Sequence, residues 1–191
     1  MPNKQAKILS TSNISDLIAL AASSRYPQRN IAIVLLSVKA GLRAAEISKL
    51  TWTMVVDATG EVGATMELHN DATKGHKGRR LPIHPDLQRA LQNLARRAGA
   101  AGPVIKSERG GAMRPISIVM WFRAAFRRLG LDGCSSHSGR RTFITNAARL
   151  VHKAGGSLRD VQMLAGHSSI QTTQRYIDGD SHLQRKLVGL L

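Results

Sequence analysis

Apolar residues at Ile14, Leu17, Ile18 and Ala21 fall at the i, i+3, i+4, i+7 spacing of one helical face, which predicts a short helix. Residues 31–40 are apolar on nearly all sides and stop at Gly41, the pattern of a buried central helix ended by glycine rather than of a strand. A second short helix is expected over about 43–50. From Thr53 to Pro82 the pattern changes to β-branched residues and short alternating runs broken by Gly60 and Gly63, which predicts a small antiparallel sheet near residues 53–83. The tip of that hairpin, Thr73-Lys74-Gly75-His76-Lys77-Gly78, is strongly basic. Pro85 suits a first helical position, Asp86 a first turn, and Leu87, Leu91, Leu94 and Ala95 make a stripe ending before Gly99.

Residues 104–114 read as a loop containing Gly and Arg, after which Ile118, Phe122, Phe126 and Leu129 mark a helix closed by Gly130. Ser136 is expected to cap a helix that carries His137 and runs to about Val151. Ser157 with Asp160 three residues later resembles a capping box, and Ser168 or Ser169 starts a short helix through Tyr176. Leu183, Leu187 and Leu190 form a last amphipathic turn or two, while the polar, basic residues 1–10 read as a tail. The fold class expected is α+β, mostly helical around one small antiparallel hairpin.

The length of 191 residues suits one ordinary domain, with 42% hydrophobic residues to build its core, so disorder as the main state is excluded. Lys and Arg total 28 against 12 Asp and Glu, a net charge of +16, which favours a polyanionic partner: nucleic acid ahead of an anionic membrane surface. The longest apolar run is far short of the roughly 20 residues that cross a bilayer. No secretory signal opens the chain, and one cysteine, Cys134, allows neither an internal disulfide nor a Cys-rich zinc knuckle. A cytoplasmic, nucleoid-associated protein without membrane contact is expected. The 12 acids are scattered without metal-ligand spacing, and Gly75-His76-Lys77-Gly78 lacks the spacing and hydroxyl of a nucleotide phosphate loop. Neither a metal nor another cofactor is expected.

What remains is a set of cations and one tyrosine. Arg43 stands at a helix start with Glu46 three residues on, where the carboxylate can orient the guanidinium. An isolated pair of this kind is most often just a solvated ion pair. His137 and Arg140 share an i, i+3 spacing near a helix N-terminus, where a phosphate can meet both side chains and the helix dipole. His167 and Tyr176, each taken alone, are more often packing residues with one satisfied hydrogen bond.

Taken together and in this order, Gly41-Leu42-Arg43-x-x-Glu46, the basic hairpin at 74–80, His137-x-x-Arg140, and Leu164-x-Gly166-His167 followed nine residues later by Tyr176 resemble the catalytic domain of the tyrosine recombinase (phage integrase) family. The resemblance covers the chain from about residue 12, giving a tail at 1–11 and a catalytic domain at 12–191 without the N-terminal core-binding domain that such enzymes usually carry. It implies a catalytic set of Arg43, Lys74, His137, Arg140, His167 and the nucleophile Tyr176, with Glu46 as a buttress. Lys77 is the alternative to Lys74 as general acid. Gly139 and Arg141 depart from the Leu and His that the family commonly has around its second arginine.

The activity implied is site-specific cleavage and rejoining of duplex DNA through a 3′-phosphotyrosine, without metal or ATP. The alternatives are relaxation as in type IB topoisomerases, or a non-catalytic DNA-binding regulator. Lys77, Arg79, Arg80, Arg109, Arg114 and Arg141 are expected to contact DNA. The partners implied are double-stranded DNA, a homo-tetramer formed on it through the C-terminal helix, and optionally an accessory DNA-bending protein.

Overall fold

Ser10 opens the first helix by a reciprocal cap: its hydroxyl accepts the Asn13 N–H while the Asn13 side chain accepts the Ser10 N–H. The computed structural model describes residues 6–73, 78–177 and 188–189. Along them run α1 Thr11–Ala22, α2 Pro27–Lys39, α3 Ala44–Lys49, β1 Thr65–Leu68, β2 Arg79–Pro82, α4 Pro85–Ala98, α5 Pro115–Arg128, α6 Ser138–Leu150, α7 Leu158–Ala165 and α8 Ile170–Gln174. The chain is thus mostly helical with one small antiparallel hairpin. It divides into two compact units, residues 1–143 and 144–191, with the division falling inside α6.

In the first unit α2 is the central element. Proline at its first position lacks an N–H that would have had no partner there anyway. Every residue from 32 to 38 is buried, against α1 on one side and α4 on another. α1 contributes Leu17 and Ala21 to this core, α4 contributes Leu87, Leu91 and Leu94, and α5 contributes Ile118, Phe122 and Phe126. The periodicity of the sequence locates each of these faces.

The sheet is smaller than expected. β1 and β2 pair antiparallel from Thr65↔Pro82 to Leu68↔Arg79, burying Met66 and Leu81. Trp52–Met54 winds into a 3-10 turn instead, and Val56 and Val62 form an isolated bridge around the turn centred on Asp57. The polar run at the N-terminus also differs from a free tail. The Lys7 N–H donates to the Gly133 carbonyl at 3.2 Å, the Leu9 N–H donates to Thr142 Oγ1 at 2.8 Å, and the Leu9 side chain is 4% exposed. Ala6, Ile8 and Leu9 are too few and too irregularly spaced to leave a periodic signal.

α6 begins at Ser138, one residue later than a Ser136 cap would place it. Ser135 and Ser138 close its first turn: the Ser135 N–H donates to Ser138 Oγ at 3.0 Å, and the Ser138 N–H donates to the Ser135 carbonyl at 2.8 Å. His137 therefore precedes the helix.

In the second unit Asp160 accepts the Ser157 N–H at 2.8 Å to start α7, which ends at the left-handed Gly166. α7 packs on α8, and Val161, Ala165 and Thr173 are buried. α8 ends at Gln174, so Tyr176 lies in the turn beyond it. Leu183, Leu187 and Leu190 lie outside the described residues. No helix among the described residues is long and apolar enough to cross a membrane.

Candidate active site

Arg43 is the N-cap of α3 and Glu46 its third residue, so the Arg-x-x-Glu spacing is first of all a capping geometry. Glu46 Oε2 accepts the Arg43 N–H at 2.8 Å and Oε1 accepts Arg43 Nη1 at 3.1 Å. The carboxylate is 1% exposed, and a second guanidinium meets it there. Arg79, from the first position of β2, donates through Nη1 to Oε1 at 2.8 Å and through Nη2 to Oε2 at 3.3 Å. Burial alone would raise the Glu46 pKa. The hydrogen bonds and charge of Arg79, joined by those of Arg43, outweigh burial and hold it below the ordinary carboxylate value. Glu46 is therefore ionised, and the three side chains together carry one net positive charge.

Arg140 is 3% exposed and donates through Nη1 to the Gly41 carbonyl at 2.7 Å. Gly41 stands two residues before Arg43, so one turn of chain anchors the second arginine and presents the first. The turn requires glycine twice over: its φ is +64°, and a Cβ there would collide with the Phe143 ring. Gly139 has an equally specific reason. A Cβ on it would strike Ser37 Oγ and come within 3.1 Å of Val38 Cγ1, so the first turn of α6 lies against α2 with no room for a side chain. The departure from the family's usual leucine at 139 is thus a packing feature of this chain.

Two residues expected on DNA are engaged within the protein. Arg79, its side chain 8% exposed, is committed to Glu46, 33 positions away in sequence. Arg141, half-buried, donates through Nη1 to the Ala6 carbonyl at 3.0 Å and so holds the N-terminal segment. Neither partner is near in sequence, and a basic run looks the same whether its cations face solvent or a distant acid. Arg80 pairs with Glu67 at 3.0 Å on the surface, and Arg109 and Arg114 are exposed. Exposed His137 offers its carbonyl to the Arg141 N–H at 2.9 Å. Lys74 and Lys77 lie outside the described residues.

The second unit holds the other half of the set. His167 is 9% exposed and stacks on Tyr176 with ring centroids 5.4 Å apart and an angle of 22° between the planes. Its Nδ1 meets Thr173 Oγ1 at 3.0 Å, and its carbonyl accepts Gln162 Nε2 at 2.9 Å. The Tyr176 N–H donates to the Thr173 carbonyl at 3.0 Å, and Thr145 Oγ1 donates to the Tyr176 carbonyl at 3.4 Å. Both the side chain and the backbone of the pair are therefore fixed by Thr173, a residue the motif spacing did not single out. Its only sequence signal is its position six residues after the histidine and three before the tyrosine. Among the described residues no group of three or more His, Cys, Asp or Glu could hold a metal ion.

Residues 7–182 match the model of the phage integrase family. The chain is 28% identical over 194 residues to tyrosine recombinase XerC of Mesorhizobium japonicum, covering 94% of this chain and 57% of that protein. It is 33% identical over 164 residues to XerC of Bifidobacterium longum subsp. infantis, covering 78% of this chain and 43% of that one. The chain spans about half the length of the curated relatives it matches. Among solved structures, the XerA recombinase superposes with a TM-score of 0.76 at 26% identity, over 95% of this chain and 64% of that one. A lambda integrase dimer bound to a COC′ core site shares the fold, with a TM-score of 0.69 at 20% identity over 90% of this chain and 47% of that one. With the arginine–glutamate box, the second arginine and the stacked histidine–tyrosine pair all present in a chain matched over nearly its whole length, this protein belongs to the phage integrase family.

Proposed function

We propose that this chain carries the catalytic part of a site-specific DNA recombinase, which cleaves and rejoins strands through a 3′-phosphotyrosine intermediate. The observation that carries this reading is the turn 41–43, which anchors Arg140 through one carbonyl and presents Arg43 beside a buried carboxylate. Two permanently charged planar forks suit a phosphodiester whose equatorial oxygens gain negative charge as it becomes five-coordinate. Relatives whose names describe tyrosine recombinases, and fold relatives solved with transposon right end DNA and with a difH substrate, support the same substrate.

In the reaction Tyr176 Oη attacks the scissile phosphorus, the bond from phosphorus to the 5′-oxygen breaks, and a tyrosyl 3′-phosphodiester results. Arg43 and Arg140 hold the two non-bridging oxygens. A phenol titrates near 10 when unperturbed, so its proton must leave during attack, and His137 and His167 are the groups that manage it. Lys74, with Lys77 as the alternative, protonates the departing 5′-oxygen. The phosphotyrosine retains the energy of the broken linkage, so a second 5′-hydroxyl reverses the step on a new strand without a cofactor. Arg80, Arg109, Arg114 and Lys77 track the duplex backbone. The assembly is a homo-tetramer on DNA, formed through the C-terminal segment that carries Leu183, Leu187 and Leu190, with an accessory DNA-bending protein as an optional partner.

A duplex nicked beside the cleavage position, taken from DNA flanking the gene, tests the reading by trapping the covalent intermediate. A protein–DNA adduct in the wild type that disappears in Tyr176→Phe while binding persists supports it. Binding without an adduct on any such duplex would overturn it in favour of a regulator. Relaxation of one supercoiled plasmid without joining of two duplexes would favour the topoisomerase reading.

A further inference from the structure

Arg79 is the cation whose placement departs furthest from expectation. A backbone-tracking arginine keeps its guanidinium in solvent, whereas this one spends both terminal nitrogens on a buried carboxylate that also serves Arg43. We infer that Arg79 is a positioning residue for strand cleavage, keeping the Arg43 guanidinium aimed and electrically available to the scissile phosphate. The inference rests on the recombinase reading above.

Two physical steps lead to it. The first is orientation. Arg79 grips Glu46 at two points, while the Arg43 side chain touches it through Nη1 alone. The terminal torsion of a glutamate is soft and broad, so the two-point fork, together with the Arg43 N–H on Oε2, sets the plane of the carboxylate, and that plane sets the direction of the Arg43 side chain. Among the described residues Nε and Nη2 of Arg43 make no hydrogen bond, and its side chain keeps 25% of its surface open. The second step is charge. One carboxylate shared by two guanidinium groups leaves a net charge of +1, whereas without Arg79 the Arg43–Glu46 pair is neutral. The carboxylate, still accepting the Arg43 N–H, can then turn about that bond toward both terminal nitrogens of Arg43. Since the phosphorane gains charge relative to the bound diester, a neutralised Arg43 weakens the transition state more than ground-state binding.

The test compares Arg79→Gln with the wild type on the nicked duplex, measuring single-turnover adduct formation and, separately, duplex affinity against salt. Loss of an interaction made mainly in the transition state predicts a rate lower by roughly 30- to 300-fold, with affinity within about twofold and an unchanged salt slope. A scissile methylphosphonate, which lacks one charged oxygen, should shrink the defect of Arg79→Gln in parallel with that of Arg43→Ala. The charge step predicts further that Glu46→Gln combined with Arg79→Gln reacts faster than Arg79→Gln alone, because Arg43 regains its net charge.

Should Arg79→Gln not fold, Arg79→Lys, which keeps the charge but not the fork, is expected to cleave at an intermediate rate. An unimpaired adduct rate in whichever variant folds overturns the inference. A salt slope reduced by about 0.9, the value for one lost phosphate contact, overturns it equally. Absence of any adduct in the wild type would instead refute the recombinase reading itself.

Discussion

Replacing Gly41 with alanine separates two costs that one turn combines. At φ +64° an alanine incurs about 1–2 kcal/mol of left-handed strain. Its Cβ also drives into the Phe143 ring, and forcing extra volume into a packed site costs about 1–3 kcal/mol. The sum, about 2–5 kcal/mol, corresponds to a fall in Tm of about 4–20 °C for a chain of this size. Gly60→Ala is the reference, since Gly60 has φ +82° and nothing within 4 Å of its hypothetical Cβ, so only the strain is felt.

Urea unfolding followed by tryptophan fluorescence reads this part of the chain, because both tryptophans, Trp52 and Trp121, belong to the first unit. Gly41→Ala should lose about 1–3 kcal/mol more than Gly60→Ala, and that excess should vanish when Phe143 is also cut to alanine, as a negative coupling in the double-mutant cycle. Equal losses at the two glycines, or strict additivity with Phe143→Ala, would refute the close approach on which the 41–43 turn depends.

Stability should also follow the ionisation of Glu46. Its pKa is lowered on folding, so its contribution is fully present above the unfolded value of about 4.3 and is lost as the pH falls through the lower folded value. Urea midpoints between about pH 3 and 7 should drop less steeply in Glu46→Gln than in the wild type. Gly139→Leu, which restores the family's usual residue, should destabilise by about 3 kcal/mol or more through its clash with Ser37, and Ser37→Gly should recover part of the loss. Arg141→Ala should speed amide exchange across residues 6–10 by releasing the Ala6 carbonyl, while leaving the salt dependence of DNA binding unchanged.

Much of this was legible because the forces concerned are local. The α4 stripe Leu87, Leu91 and Leu94, the Pro85 start and the Ser157–Asp160 cap need only near neighbours, and each is found where the pattern puts it. Residues 53–83 were legible as a hairpin but not in extent, since Trp52 is drawn into the core and winds its neighbours into a 3-10 turn. The start of α6 is legible only to within a residue, because Ser135, Ser136 and Ser138 are all capable of capping, and the partner that decides is fixed by backbone geometry. The internal partners of Arg79 and Arg141 are not legible for a different reason: their acceptors lie 33 and 135 positions away, and composition carries no sign of such pairings. Lys74 and Lys77 stand on the motif alone.

The brevity of α8 has a consequence for how Tyr176 is supported. Five residues close about one helical turn, far below the roughly 12–15 needed for an isolated helix to be even marginal in water. The segment before Tyr176 therefore owes its shape to packing on α7 and to the buried Thr173, whose hydroxyl meets His167, not to its own backbone. Such an element can detach and re-form at a free energy well below that of melting the molecule. Tyr176, in the turn just beyond α8, therefore rests on a local docking equilibrium to which the hydrogen bond between Thr173 and His167 contributes.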